Sequence, residues 1–144
     1  MFGKRTKEEQ RNSLKESVEE LDLVELATKL LDLERLLQWP FFREHYNVGY
    51  LERLMADRIG SDEIVGEDPS GMSKKSYSDH KARKAIAQLT FEDAKKLFDA
   101  TEELMIWQPV NVIYNFSRLS LLIMEKVNPD MYESLMDMTD KILR

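Results

Sequence analysis

A chain of 144 residues with 33% charged and 42% hydrophobic side chains has the balance of a water-soluble single domain, long enough to bury a core. It has no cysteine, which excludes disulfide scaffolds, thiolate metal sites and cysteine nucleophiles. A net charge of −6 argues against a general affinity for nucleic acid.

The chain opens with MFGKRTKEEQ, which has basic residues but no apolar run behind them, so no secretory signal is expected and a cytoplasmic location is. Residues 14–38 read as one long helix. Asp22, Glu25, Lys29 and Asp32 recur every three or four residues as a thin polar stripe. Nearly everything else from Leu21 to Leu37 is apolar, as in a helix packed on several sides. The start of this helix is acidic, and Glu16, Glu19 and Glu20 form a candidate docking face for a basic partner.

Trp39-Pro40 stops that helix, because proline cannot continue the hydrogen-bond ladder and disfavours helix at the residue before it. Pro40 can open the next helix, predicted to run to Ile59 with Gly60 as a left-handed cap. Gly49 lies inside it at a cost of about 1 kcal/mol relative to alanine, so a break near Asn47 is the alternative. His45 reads as a surface or corner residue.

Gly60, Gly66, Pro69 and Gly71 cluster in a loop over 61–78 that divides the chain into halves of about 12–60 and 79–144. No strand pattern with hairpin signals is visible. Residues 74–84, KKSYSDHKARK, carry five basic residues and one acid. Lys74, Lys75, Tyr77, Lys81, Arg83 and Lys84 are therefore the candidate contacts to a partner or to nucleic acid, the lysines and arginine to phosphates and the tyrosine to a base. The strongly acidic remainder of the chain opposes the second use.

Ser78 can cap a short helix carrying Ala82, Ala85, Ile86 and Leu89. Thr90 with Asp93 resembles a capping box, and the helix it starts places Ala94, Leu97, Phe98, Thr101, Leu104 and Met105 on one face. Pro109 opens a helix to Val127 that holds a single charge, Arg118, over residues 109–124. That apolar stretch is interrupted and shorter than the roughly 20 residues that span a bilayer, so no membrane association is expected. Asn128-Pro129-Asp130 restarts a last helix, expected to bury Met131, Leu135, Met138 and Ile142. Met-rich surfaces also suit partner binding.

Two segments, residues 34–60 and 102–128, align at a constant offset. Glu34, Leu36, Trp39, Tyr46, Asn47, Leu51 and Leu54 recur as Glu102, Leu104, Trp107, Tyr114, Asn115, Leu119 and Leu122. The fold expected from this is all-α: a single bundle of about six helices made of two related hairpins about a pseudo-twofold axis. Tyr46, Asn47, Tyr114 and Asn115 then form a candidate polar core pair, either a device that fixes helix register or the lining of a small pocket.

Nothing in the sequence completes a catalytic site. Glu-x-x-His spacing and glycine-rich phosphate loops are absent. Glu16/Glu19, Asp22/Glu25 and Asp137/Asp140 have the spacing of helical Mg²⁺ ligands, but acids so spaced usually solvate a face. The expectation is a non-enzymatic interaction protein without cofactor or metal, acting as adaptor, assembly subunit or inhibitor. Its partner is another protein or a second copy of itself. The alternatives are a nucleic-acid-associated regulator and, third, a Mg²⁺-dependent hydrolase.

Overall fold

The computed structural model of the protein describes residues 6–60 and 70–143, with side chains up to residue 140. Residues 61–69 of the expected central loop, and the side chain of Ile142, lie outside the described residues. The chain is mostly helical, as its periodicity requires. Among the described residues there are nine helices rather than about six, because the chain breaks where the apolar pattern runs on without interruption.

The first such break divides the expected helix over 14–38. Helix α1 (Lys7–Glu20) ends where Leu21 turns extended, and α2 (Leu23–Leu37) starts on Asp22. The Asp22 carboxylate accepts the Glu25 amide at 2.8 Å, so Asp22 is a helix cap and not part of a stripe. After Trp39, α3 (Pro40–His45) begins with proline in its first turn. It stops at strand β1 (Tyr46–Asn47), and α4 (Gly49–Ile59) ends at Gly60, which takes the left-handed φ of 85° expected of it. The break near Asn47 thus prevails over one helix from Pro40 to Ile59. Gly49 becomes a first-turn residue, where the helix-interior cost of glycine does not arise.

Strand β2 (Ser73–Lys74) pairs antiparallel with β1, Tyr46 opposite Lys74 and Asn47 opposite Ser73. Of this two-residue ribbon, β2 lies in what reads from sequence as loop and β1 in what reads as helix. Helices α5 (Asp79–Ala87) and α6 (Phe91–Met105) start on the expected caps, Ser78 and Thr90, whose hydroxyls accept the amides of Lys81 and Asp93. The expected helix from Pro109 to Val127 is divided into α7 (Gln108–Tyr114) and α8 (Phe116–Val127) by Asn115, at φ 53° and ψ 56°. The Asn111 side chain bridges that break, bonding the amide of Ser117 at 3.0 Å and its hydroxyl at 2.8 Å. Asn128 caps α9 (Pro129–Leu143) by accepting the Met131 amide.

The largest helix–helix contacts set α6 against α8 and α2 against α6. Helix α4 covers α2, α5 covers α8, and α1 lies on α4 and α7. One buried apolar cluster draws on every helix from α1 to α8, with Leu14, Leu33, Phe42, Leu51, Leu104 and Phe116 fully enclosed. Trp39 and Trp107 are each 7% exposed at the N-termini of α3 and α7. Helix α6 begins and ends 68 residues after α2, the offset at which the sequence repeats.

The expected polar stripe of α2 holds at its start, where Asp22 and Glu25 are exposed, and fails further along. Lys29 and Asp32 are buried, at 7% and 6% exposure, while Leu23, Val24 and Leu31 are 57%, 78% and 55% exposed. Lys29 donates to the Glu103 carbonyl of α6 at 3.1 Å, lies 3.7 Å from its carboxylate and sits over the Trp107 ring. Buried charges are held by partners, and the main partner here, Glu103, lies 74 residues away in sequence. Helix α9 also departs from expectation: Met131 and Met138 are exposed and Leu135 is only half-buried.

Candidate functional site

The structure brings the Tyr-Asn pair of the first half onto the basic segment. Phe41 and His45 are spaced four apart on α3, and Phe42 lies four before Tyr46, the first residue of β1, so that each pair of rings meets. The Phe42 and Tyr46 rings stack at 4.5 Å and 9°. Tyr77, reaching back from the end of β2, meets Phe41 edge-on at 5.0 Å, and its hydroxyl lies 2.5 Å from that of Tyr46. From the second half Phe116 packs against Tyr46, and the Tyr114 hydroxyl donates to the Asn47 carbonyl at 3.2 Å.

Three of the four Tyr-Asn residues therefore converge: Tyr46, Asn47 and Tyr114. Asn115 does not join them, because its left-handed backbone turns it out to an exposed position. Burial raises the pKa of all three phenols, Tyr46, Tyr77 and Tyr114, further above the ordinary tyrosine value. They stay protonated at neutral pH and act as hydrogen-bonding pins rather than bases.

His45, expected at the surface, is only 6% exposed, between Phe41 and Tyr77. Burial lowers its pKa first, and the nearby charge of Lys81 lowers it further. The carbonyl of His45 accepts the Lys75 amide, which holds β2 in place. The Asn47 side chain lies against Gly71, whose carbonyl accepts the Tyr50 amide. Beside this junction opens a cleft of about 450 Å³, lined by Arg43, Glu44, His45, Asn47, Ser73 and Lys75 among others.

Two of the remaining basic residues are drawn into ion pairs. Lys81 pairs with Glu44 at 3.6 Å. Arg83 bonds the Glu125 carboxylate at 3.2 Å and the Tyr132 hydroxyl at 3.2 Å. Lys74, Lys75 and Lys84 are exposed, whereas Tyr77, the expected stacking platform, is half-buried against aromatic rings. Sequence reasoning missed His45 and Gly71 as structural residues. The signal for His45 was the i,i+4 aromatic pairing in PFFREHY.

The acidic residues of α1 fare differently. Glu16, Glu19 and Glu20 are exposed, as expected. Glu19, Glu20, Asp22 and Glu25, all exposed, flank Leu23 and Val24 where α1 turns into α2. Leu31 continues that apolar face two turns further along α2. Across the helix, Asp32 has its pKa raised to about 6, chiefly by burial and then by the charge of Glu103. Arg35, 3.5 Å away, and Lys29 pull it partly back.

Among the described residues no group of three or more acidic or histidine side chains converges as a metal ion would need. Also among the described residues, no helix is long and apolar enough to cross a membrane. Comparison with family models, with characterised proteins and with solved structures finds no match.

Proposed function

We propose that this is a non-enzymatic interaction protein of the cytoplasm, an adaptor, assembly subunit or inhibitor that docks another protein on the outer face of α2. One observation carries the reading: α2 holds Leu23, Val24 and Leu31 in solvent while it encloses Lys29 and Asp32. Large side chains gathered on one exposed face and rimmed by polar groups mark interaction surfaces. The rim here is Glu19, Glu20, Asp22 and Glu25, so the fitting partner has an apolar surface bordered by lysine or arginine.

We read the two halves as one duplicated helical hairpin about a pseudo-twofold axis. The matching bounds of α2 and α6, and the breaks at Asn47 and Asn115, support this. In that scheme α2 and α6 form the central layer, and α2 carries the buried Lys29 and Asp32 where α6 has Leu97 and Ala100. The duplicated residues serve the core, and the helix with those buried charges is the one with the exposed apolar face.

The test is site-specific photo-crosslinking in the cells that make the protein, with the probe at Val24 or at Lys84. A discrete protein adduct from Val24, absent with Val24→Asp at a neighbouring probe position, Thr28, is the expected result. The purified pair should dissociate more readily as salt rises, since the acidic rim is screened. Adducts from Lys84 alone that vanish with nuclease would overturn the reading in favour of nucleic acid bound by the basic segment.

A further inference from the structure

Helix α9 is amphipathic, yet no described residue of it is buried. Its main contact is with α8. Tyr132 holds it there, its hydroxyl bonded to the Arg83 guanidinium that also grips Glu125 of α8. Met131 and Met138, at 51% and 57% exposure, flank the half-buried Leu135, and the sequence repeats the spacing at Ile142. Steps of four, three and four residues are those of a heptad seam, the geometry by which one helix packs along another. A helix that needed only to cover α8 would have no use for this second apolar line.

The charges beside the seam specify what fits it. By helical register, positions 130, 134, 137 and 141 fall on one side of that line, and the sequence places Asp130, Ser134, Asp137 and Lys141 there. Laid parallel about a twofold, this flank would meet not itself but the opposite side of the other copy's seam, where Tyr132 is already held to Arg83. Laid antiparallel, two such flanks bring each Lys141 position opposite the other copy's Asp130, twice over about a twofold axis. The antiparallel arrangement also opposes the two helix dipoles favourably. A surface that matches itself under a twofold rotation is the condition for an isologous dimer.

We propose that the protein forms a homodimer through α9, paired antiparallel with α9 of a second copy along Met131, Leu135 and Met138. This surface is separate from the α2 face, so the dimer leaves Leu23, Val24 and Leu31 free for a second protein and makes the assembly bivalent. Each copy then presents one acid-rimmed apolar corner, and a partner with two matching sites gains avidity without any new contact.

Sedimentation equilibrium decides the matter, with circular dichroism of each variant as the check on folding. The unmodified protein should sediment at twice the 17.0 kDa chain mass. Met138→Glu should sediment at the chain mass with unchanged helicity, because Met138 is exposed in the single chain. Leu31→Glu, on α2, should leave the dimer intact. Asp130→Lys should weaken the dimer, and Asp130→Lys with Lys141→Asp should restore it. A monomeric unmodified protein would overturn the proposal while leaving the α2 reading to its own crosslinking test. So would a dimer that survives Met138→Glu, or one that Leu31→Glu disrupts.

Discussion

A Cβ on Gly71 would fall 2.0 Å from Oδ1 of Asn47, closer than any real contact allows. The obstruction is local, but its consequences spread along the ribbon. Asn47 bonds the Gly49 amide, and the Gly71 carbonyl holds the amide of Tyr50 at the start of α4. Gly71→Ala must swing the Asn47 side chain out, which gives up its bond to the Gly49 amide, or, where Asn47 holds, push β2 away from β1. The expected cost is about 1 kcal/mol by the first route and about 2 kcal/mol by the second. Amide hydrogen exchange locates the effect: protection at Tyr50 and Lys75 should fall well before that of α6 and α8. Equal loss everywhere would mean that the ribbon is not a separate unit. Tyr46→Phe is another probe of the same junction. It removes one partner of the 2.5 Å hydroxyl pair and should cost about 1 kcal/mol in urea unfolding.

At the scale of the element, helix starts are written locally and helix breaks are not. Ser78, Thr90 and Asn128 cap α5, α6 and α9 because a short polar side chain reaches an amide two or three residues on, whatever the rest of the chain does. The Trp39-Pro40 and Trp107-Gln108-Pro109 corners are equally local. The breaks at Leu21–Asp22, Tyr46–Asn47 and Asn115 interrupt runs whose apolar spacing continues unbroken, so periodicity reads through them. What selects them is tertiary: β1 can leave the helix because β2 arrives to pair with it, and Tyr114 can end α7 because its hydroxyl finds the Asn47 carbonyl. Burial of Lys29 was hidden for the same reason, since Glu103 and Trp107 lie on another helix. The acidic rim at Glu19 and Glu20 was legible because exposed charge is the default, whereas the burial of Asp32 was not. The break at Asn115 gives this argument a test. Its φ of 53° is open to glycine and asparagine but strained for a branched side chain. Asn115→Gly should change thermal stability little, and Asn115→Val should cost about 1–2 kcal/mol. A valine as stable as the asparagine would mean that α7 and α8 join into the single helix the sequence suggests.

At the scale of the molecule, two buried titrating groups oppose one another. Asp32 holds its proton up to about pH 6 in the folded chain, against an ordinary value of 3.8. Its carboxyl is neutral in both states at low pH, so its penalty is absent there. The penalty grows as pH rises from about 4 to 6 and then stays constant. His45 runs the other way. It is uncharged in both states above its ordinary 6.5, and its lowered pKa makes folding less favourable as pH falls below that value. Glu44, Lys75, Lys81 and Tyr77 surround it, and burial rather than any one of them sets the direction. Between pH 4 and 6.5 acidification therefore relieves one group while it burdens the other, and each masks the slope of its counterpart. Asp32→Asn should expose the histidine: relative to the unmodified protein it gains on the order of 1–3 kcal/mol at pH 7, and the gain disappears towards pH 4. His45→Phe keeps the ring packing against Phe41 and Tyr77 and should expose the aspartate, with stability climbing as pH falls from 6.5 to 5 relative to the unmodified protein. Urea unfolding of the three proteins across that range measures both slopes, and the double variant should show neither. If Asp32→Asn gained nothing at pH 7, the Lys29 and Arg35 charges would be compensating the buried carboxylate in full, and α2 would owe its buried aspartate to a favourable ion pair rather than to a tolerated cost.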